Sequence, residues 1–263
     1  DMPFDFKAQH DFDLHIALEV GIEALQPMLA KGRVMGIETR GPLPTTAGSS
    51  ALQANVSGRD APVVARLRAE GAVVVGKANM SVWAYMRSTR AISGWSAVGG
   101  QTRNPYALDR NPCGSSSGSA VAVAAGLVDA AVGTETDGSI TCPAAVNGVV
   151  GLKPTVGLAS RSRIVPVALS QDTAGPIARD VATVARLLTA MAGSDAEDSA
   201  TADADTRRQD YSAGLATATL RGVRLGVLRF DLGWSAAVYS AFERGLALLR
   251  EQGGGRGAEE RHR

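Results

Sequence analysis

Residues 111–143 read NPCGSSSGSAVAVAAGLVDAAVGTETDGSITCP, and they gather glycine, serine and threonine at a density that helix and strand interiors do not tolerate. Two small-residue loops, 113–119 and 133–139, are separated by the apolar run 120–132. That run has the length of a helix followed by a short strand, so the two loops can return to one place. Glycines permit positive φ and close backbone approach, which lets successive N–H groups converge on an anion, while serine hydroxyls can serve as nucleophile or proton relay. These are the parts of an acyl-transfer site.

Two blander readings compete. A Gly/Ser linker would be flanked by flexible polar sequence, whereas AVAVAAGLVDAAV lies between these loops and AAVNGVVGLK follows them. A phosphate loop would show GxxxxGK[ST] or GxGxxG, and neither pattern is present. Acyl transfer also needs a base, an acid for the leaving nitrogen and donors for the oxyanion. The histidines, His10, His15 and His262, stand at the ends of the chain, which argues against a Ser-His-Asp triad. Cys113 and Cys142 flank the loops, are too few for a stabilising framework and are expected as free thiols; cysteine as nucleophile is the weaker alternative to serine.

The wording CGSSSGSA followed by GTETDGSITCPA resembles the amidase-signature hydrolases, whose hallmark is a GGSSGGSA-like loop followed by GTDTGGSIRxPA. The resemblance runs through GVVGLKPTVGL and SQDTAGPIARDVATVARLL and back through PTTAGSSAL and GRDAPVVARLRAEGAVVVGKANMS, over about residues 37–193. Within the family, CGSSSGSAVAVAA and GTETDGSI look most like the bacterial peptide amidases. The resemblance implies Ser139 as nucleophile and Ser115 as bridging serine, after a Gly114–Ser115 bond that is cis in the family. It further implies an oxyanion hole from the N–H groups of Thr136, Asp137, Gly138 and Ser139, and a substrate pocket touched by Ser116, Trp95 and Thr141. Thr141 stands where many relatives carry arginine, which implies neutral or amidated substrates.

The family's base is a lysine in a VLLKDNIET-like segment just before LPTTAGS. Here the chain reads KGRVMGIETRGPLPTTAGS, which puts Val34 at the lysine position and Met35 at the aspartate position, as though a block had been deleted. Lys31 is the nearest substitute, three residues early; Lys77 and Lys153 match GK[AT]N and GLKPT and read as structural. The expected activity is therefore amide hydrolysis of the Ser-cisSer-Lys type, with peptide C-terminal amides as a candidate substrate class. The alternatives are a catalytically impaired amidase-like fragment and an amidotransferase A-subunit-like protein.

The positioning elements follow from periodicity. Residues 11–31 carry apolar positions at helical spacing and read as an N-terminal helical cover, 1–32. Asp60 and Pro62 mark a helix start with Val63, Val64 and Leu67 on one face and Gly71 as the stop, leading into a strand over 72–75. A short helix is expected over 79–86, and 89–112 has little periodicity and reads as a loop that wraps the site. A small-residue helix over 143–147 and a strand over 149–152 follow the double loop. Asp180 caps a helix over 181–191, 194–218 reads as a polar excursion or linker, and a strand over 223–228 precedes a helix over 236–250. The tail 253–263 is expected to be disordered. Alternating helices and strands mean α/β, and the resemblance implies the amidase-signature fold, a mixed central β-sheet sandwiched between helices, truncated at the C-terminus, with the domain spanning 33–252.

Composition limits the partners. The 263 residues are 45% hydrophobic and 20% charged, ordinary for a globular chain, and 27 basic against 26 acidic residues leave +1, no broad field for nucleic acid or an anionic membrane. No run of eighteen apolar residues occurs, so the chain reads as soluble, and cytoplasmic unless a signal preceding Asp1 has been removed. No cofactor and no metal is expected; the partner is a peptide or small-molecule amide.

Overall fold

The computed structural model describes residues 36–86, 88–227, 235–253 and 255–256. The chain divides into two compact units, Asp1–Ser212 and Ala213–Arg263. The expected N-terminal cover and Lys31 lie outside the described residues.

In the first unit the elements run α1 (Pro62–Ala69), β1 (Trp95–Ser96), β2 (Gly100–Gln101), α2 (Ser117–Ala124), β3 (Ala130–Glu135), α3 (Thr141–Val146), β4 (Val150–Gly151), β5 (Thr173–Ala178), α4 (Val181–Met191) and α5 (Ala204–Arg207). The main sheet has the order β3-β5-β4 with both pairings antiparallel, Gly133 opposite Gly175 and Gly151 opposite Ile177. Side-chain alternation then builds a layer on each face. Ala174 and Val132 pack with Val63, Val64, Leu67, Ala190 and Met191 of α1 and α4. Ile177 and Ala131, an odd number of residues away, pack with Ala120, Val123 and Ile140 on the α2 and α3 side. The helices therefore sandwich the sheet, and the site loops leave it from the α2–α3 face. Parallel pairing, expected of a mixed sheet, occurs among the described residues only between Arg224–Leu225 and Gly255–Arg256 of the second unit.

α4 forms as its sequence reads: the Asp180 side chain accepts the Thr183 N–H at 2.7 Å, and Val184, Ala185 and Leu188 turn inward. α1 differs in its start. Ala61 is the N-cap, with Pro62 in the first turn, and Asp60 instead accepts the Arg40 N–H at 2.6 Å and pairs with Arg68 at 3.1 Å. The strand expected over 72–75 is not one: Val74 packs on the core, but Val73 and Val75 are exposed, and no described strand pairs with this stretch. The expected helix over 79–86 is a 3-10 turn, Val82–Tyr85. Nor is 194–212 a polar linker. Asp198 and Thr201 are buried there, and α5 follows.

The second unit contains β6 (Arg224–Leu225), α6 (Ala236–Glu251) and β7 (Gly255–Arg256), with β6 parallel to β7. Ser235 caps α6 by accepting the Val238 N–H, and Leu246 is its buried residue. The expected tail thus carries a strand at 255–256, while 257–263 lie outside the described residues.

Candidate active site

Two loops meet where the sequence placed them. α2 starts at the end of the first and runs back to β3, whose end, Glu135, opens the second. Gly118 allows the first close approach: its N–H donates to the Asn79 carbonyl at 2.7 Å, and a Cβ there would lie 2.5 Å from the Asn79 backbone. Asn79 in turn donates to the carbonyls of Gly94 and Gly100 and accepts from Ser96, fastening the β1–β2 hairpin. Gly138, with φ +74°, makes the turn that presents Ser139.

The Gly114–Ser115 bond is cis. Ser115 accepts the Ser81 N–H on its carbonyl at 3.0 Å, and the Ser116 N–H donates to the Ser139 carbonyl at 3.1 Å, joining the two loops directly. Ser115 and Ser139 line the same cavity. The Ser115 hydroxyl is buried and has no hydrogen-bond partner among the described residues. It therefore makes no bond to Ser139 here, although a serine relay leads one to expect it, and its lone pairs and proton remain uncommitted.

The second loop is organised by a residue of the GTETDGSI stretch to which the sequence alone assigns no role. Glu135, 5% exposed, accepts the N–H groups of Gly138 at 2.9 Å, Ile140 at 2.6 Å and Thr141 at 2.8 Å, and the Thr141 hydroxyl at 3.2 Å. A carboxylate taking several N–H bonds rigidifies a turn more firmly than any neutral acceptor. It also divides the amides expected in the oxyanion hole: the Gly138 N–H is committed to Glu135, whereas those of Thr136, Asp137 and Ser139 have no acceptor among the described residues. A single acidic side chain at the end of an apolar strand, just before a glycine-serine turn, was the signal for this role.

The expected pocket residues are placed differently. The Ser116 hydroxyl bridges the backbone of Thr134, donating to its carbonyl at 3.0 Å and accepting its N–H at 3.1 Å, so it ties the first loop to β3. Thr141 turns its hydroxyl to Glu135, and Trp95 is exposed on β1; neither these two nor Ser116 lines the cavity. The apolar wall is instead Met80, Trp83, Ile164, Val165 and Leu169.

Among the described residues, every ionisable side chain that lines the cavity is already engaged. Arg161 grips buried Asp198 through two bonds, 2.9 and 2.5 Å, and a third nitrogen donates to the Leu169 carbonyl. The hydrogen bonds from Arg161 hold the Asp198 carboxyl below the usual carboxylate range, and the same pairing raises Arg161. Asp172 accepts the N–H groups of Val167 and Ala168 and, at 2.5 Å, the Thr136 hydroxyl. Lys77 does not line the cavity. Its ammonium donates to Thr45 at 2.6 Å, and burial lowers its pKa to about 8 against the opposing pull of Glu38 and Asp60.

Cys113 and Cys142, expected as free thiols, form a disulfide between the two loops. The fold brings their Cα atoms to 6.0 Å, within ordinary disulfide reach. Among the described residues no group of three His, Cys, Asp or Glu side chains could hold a metal ion, and no helix is long and apolar enough to cross a membrane.

The amidase family model matches residues 36–256. A probable amidase of Arabidopsis thaliana is 48% identical over 223 residues, 84% of this chain and 43% of that protein. A glutamyl-tRNA(Gln) amidotransferase A-subunit of Symbiobacterium thermophilum is 46% identical over 80% of this chain and 42% of its own length. Among solved structures, the native peptide amidase from Stenotrophomonas maltophilia superposes with a TM-score of 0.81 at 54% identity, covering 85% of this chain and 46% of that one. The chain spans somewhat less than half the length of these relatives.

Proposed function

The chain belongs to the amidase family, and on that premise we propose that it carries the serine pair of an amide hydrolase acting on neutral amides, peptide C-terminal amides among them. In this reading the Ser139 hydroxyl attacks the amide carbonyl as its proton passes to the Ser115 oxygen, which in turn gives up its own proton to a base, and the oxyanion is received by the N–H groups of Thr136, Asp137 and Ser139. The C–N bond then breaks as Ser115 returns a proton to the departing amine, and water releases the acyl group from Ser139. The observation that carries the reading is the buried, uncommitted Ser115 hydroxyl in one cavity with Ser139. The preference for neutral substrates is supported by a lining whose charged side chains, Glu135, Arg161 and Asp172, are each hydrogen-bonded to other parts of the protein, beside an apolar wall of Met80, Trp83, Ile164, Val165 and Leu169. The similar peptide amidase supports the substrate class.

The base is the incomplete part. Among the described residues no lysine lines the cavity, and the two serines alone provide no group to hold the proton between attack and departure. General acid–base assistance is worth about 10²–10⁴-fold, so the chain should turn over slowly. The test is ammonia release from a dipeptide amide. Turnover should be weak in the chain as it stands and at least about 10²-fold higher when 33–39 is replaced by a GIPVLLKDNIET-like segment. Both signals should vanish with Ser139→Ala; turnover that survives that change would refute the assignment.

A further inference from the structure

The Cys113–Cys142 disulfide joins the residue just before Gly114–Ser115 to one three positions after Ser139, in the first turn of α3. Each cysteine sits against backbone that shapes the site. Cys113 has φ +58°, a left-handed conformation that disfavours any residue with a Cβ, and is fixed there by Asn111, which accepts its N–H, and by Ser117, which donates to its carbonyl. The Cys142 N–H donates to the Gly138 carbonyl at 2.9 Å, within the turn that presents Ser139. Both cysteines are half-buried rather than sealed within the core. Without the covalent bond, the links between these two segments include the Ser116 N–H to the Ser139 carbonyl at 3.1 Å and the Asn147 amide to the Pro112 carbonyl at 2.9 Å. The α1–α4 core on the other face of the sheet contains no cysteine, so the bond does not cross-link that core.

We propose that this disulfide is a redox switch on the serine pair: oxidised, it clamps the two loops in register; reduced by a dithiol, it releases them and Ser139 loses reactivity. In the reducing step one thiolate of the dithiol attacks a cysteine sulfur to give a mixed disulfide. Its second thiolate displaces the remaining cysteine, leaving two protein thiols and an oxidised dithiol, a two-electron exchange. The proposal rests on Ser139 as the nucleophile. Its physical basis is that a displacement of about 1 Å between reacting groups can cost roughly 10²-fold in rate.

The test compares the labelling rate of Ser139 by a fluorophosphonate in the oxidised chain, in the chain reduced with dithiothreitol and in the Cys113→Ser/Cys142→Ser variant. The number of thiols is titrated in each, and amide hydrogen exchange is followed on the same samples. Reduction should slow labelling by roughly tenfold to 10²-fold. It should speed exchange over 113–119 and 138–142 while leaving 181–191 unchanged, and the double variant should be slow and indifferent to reductant. Equal labelling in both redox forms overturns the switch alone. So do two free thiols in the unreduced, denatured chain, or faster exchange throughout 181–191, which would make the bond a staple of the whole fold. No label on Ser139 in any form removes the nucleophile, and the switch with it.

Discussion

Replacing Glu135 with alanine should damage both the stability and the reactivity of the site, by an amount that follows from its contacts. Its carboxylate accepts the N–H groups of Gly138, Ile140 and Thr141 and the Thr141 hydroxyl, and is itself almost fully buried. Thr141 is exposed, so water can replace the lost acceptor there. Ile140 is fully buried and the Gly138 amide lies inside the turn, so each loses its acceptor at about 1–3 kcal/mol. The sum, about 2–6 kcal/mol, is a large fraction of the roughly 5–15 kcal/mol that keeps a domain folded. Glu135→Gln keeps the shape, and its oxygen can still accept from Ile140 and Thr141. Its NH2 group, however, meets the Gly138 N–H donor to donor, at a cost of about 1–3 kcal/mol. Urea unfolding gives the stability differences, and fluorophosphonate labelling of Ser139, at a denaturant concentration where each variant is folded, gives the reactivity. An alanine variant within about 0.5 kcal/mol of the parent, labelled at the parent's rate, would refute the claim that this carboxylate holds the turn.

Asp198→Asn should cost about 1.5–3 kcal/mol because it leaves the half-buried Arg161 guanidinium beside a neutral partner; thermal and urea unfolding measure it, and a change near zero would contradict the pairing. Stability should depend on pH through Lys77. Its folded pKa, about 8, lies below its ordinary 10.5, so the unfolded chain binds more protons between these values and unfolding free energy rises as pH climbs through that window. At about 1.4 kcal/mol per pH unit the rise across this window is at most about 3.5 kcal/mol, and Lys77→Met should flatten it; an identical pH slope in the variant would contradict the burial argument. If transfer through Ser115 is limited by a base, methylamine should speed Ser139 labelling more at pH 9 than at pH 7 and have no effect with Ser115→Ala; the same acceleration in that variant would show that the amine acts elsewhere.

Local signals carried much of this architecture. α4 was legible because a capping aspartate, a helical apolar stripe and a following glycine agree within one short stretch. The two serine loops were legible because glycine and serine density has few other uses, and their meeting followed from the length of the apolar run between them. What sequence missed depends on distant partners. Residues 72–75 have the β-branched composition of a strand, but a strand needs a neighbour, and none is described beside it. Two cysteines 29 residues apart read as free thiols because only the return of the chain through α2 and β3 brings them together. Trp95 and Trp83 are equivalent as letters. The hairpin carries the first outward to solvent, and the 3-10 turn carries the second to the cavity wall.

The central claim is that Ser139 is the nucleophile of this loop pair, and the most direct measurement is the position of a covalent adduct. After prolonged exposure of the oxidised chain to a fluorophosphonate, digestion and mass spectrometry should find one phosphonylated peptide, with the modification on Ser139. Ser139→Ala should abolish it, and Ser116→Ala, which alters only the tie to Thr134, should keep it. An adduct on Ser115 or on a serine outside the two loops, with Ser139 unmodified in a folded chain, would contradict the account.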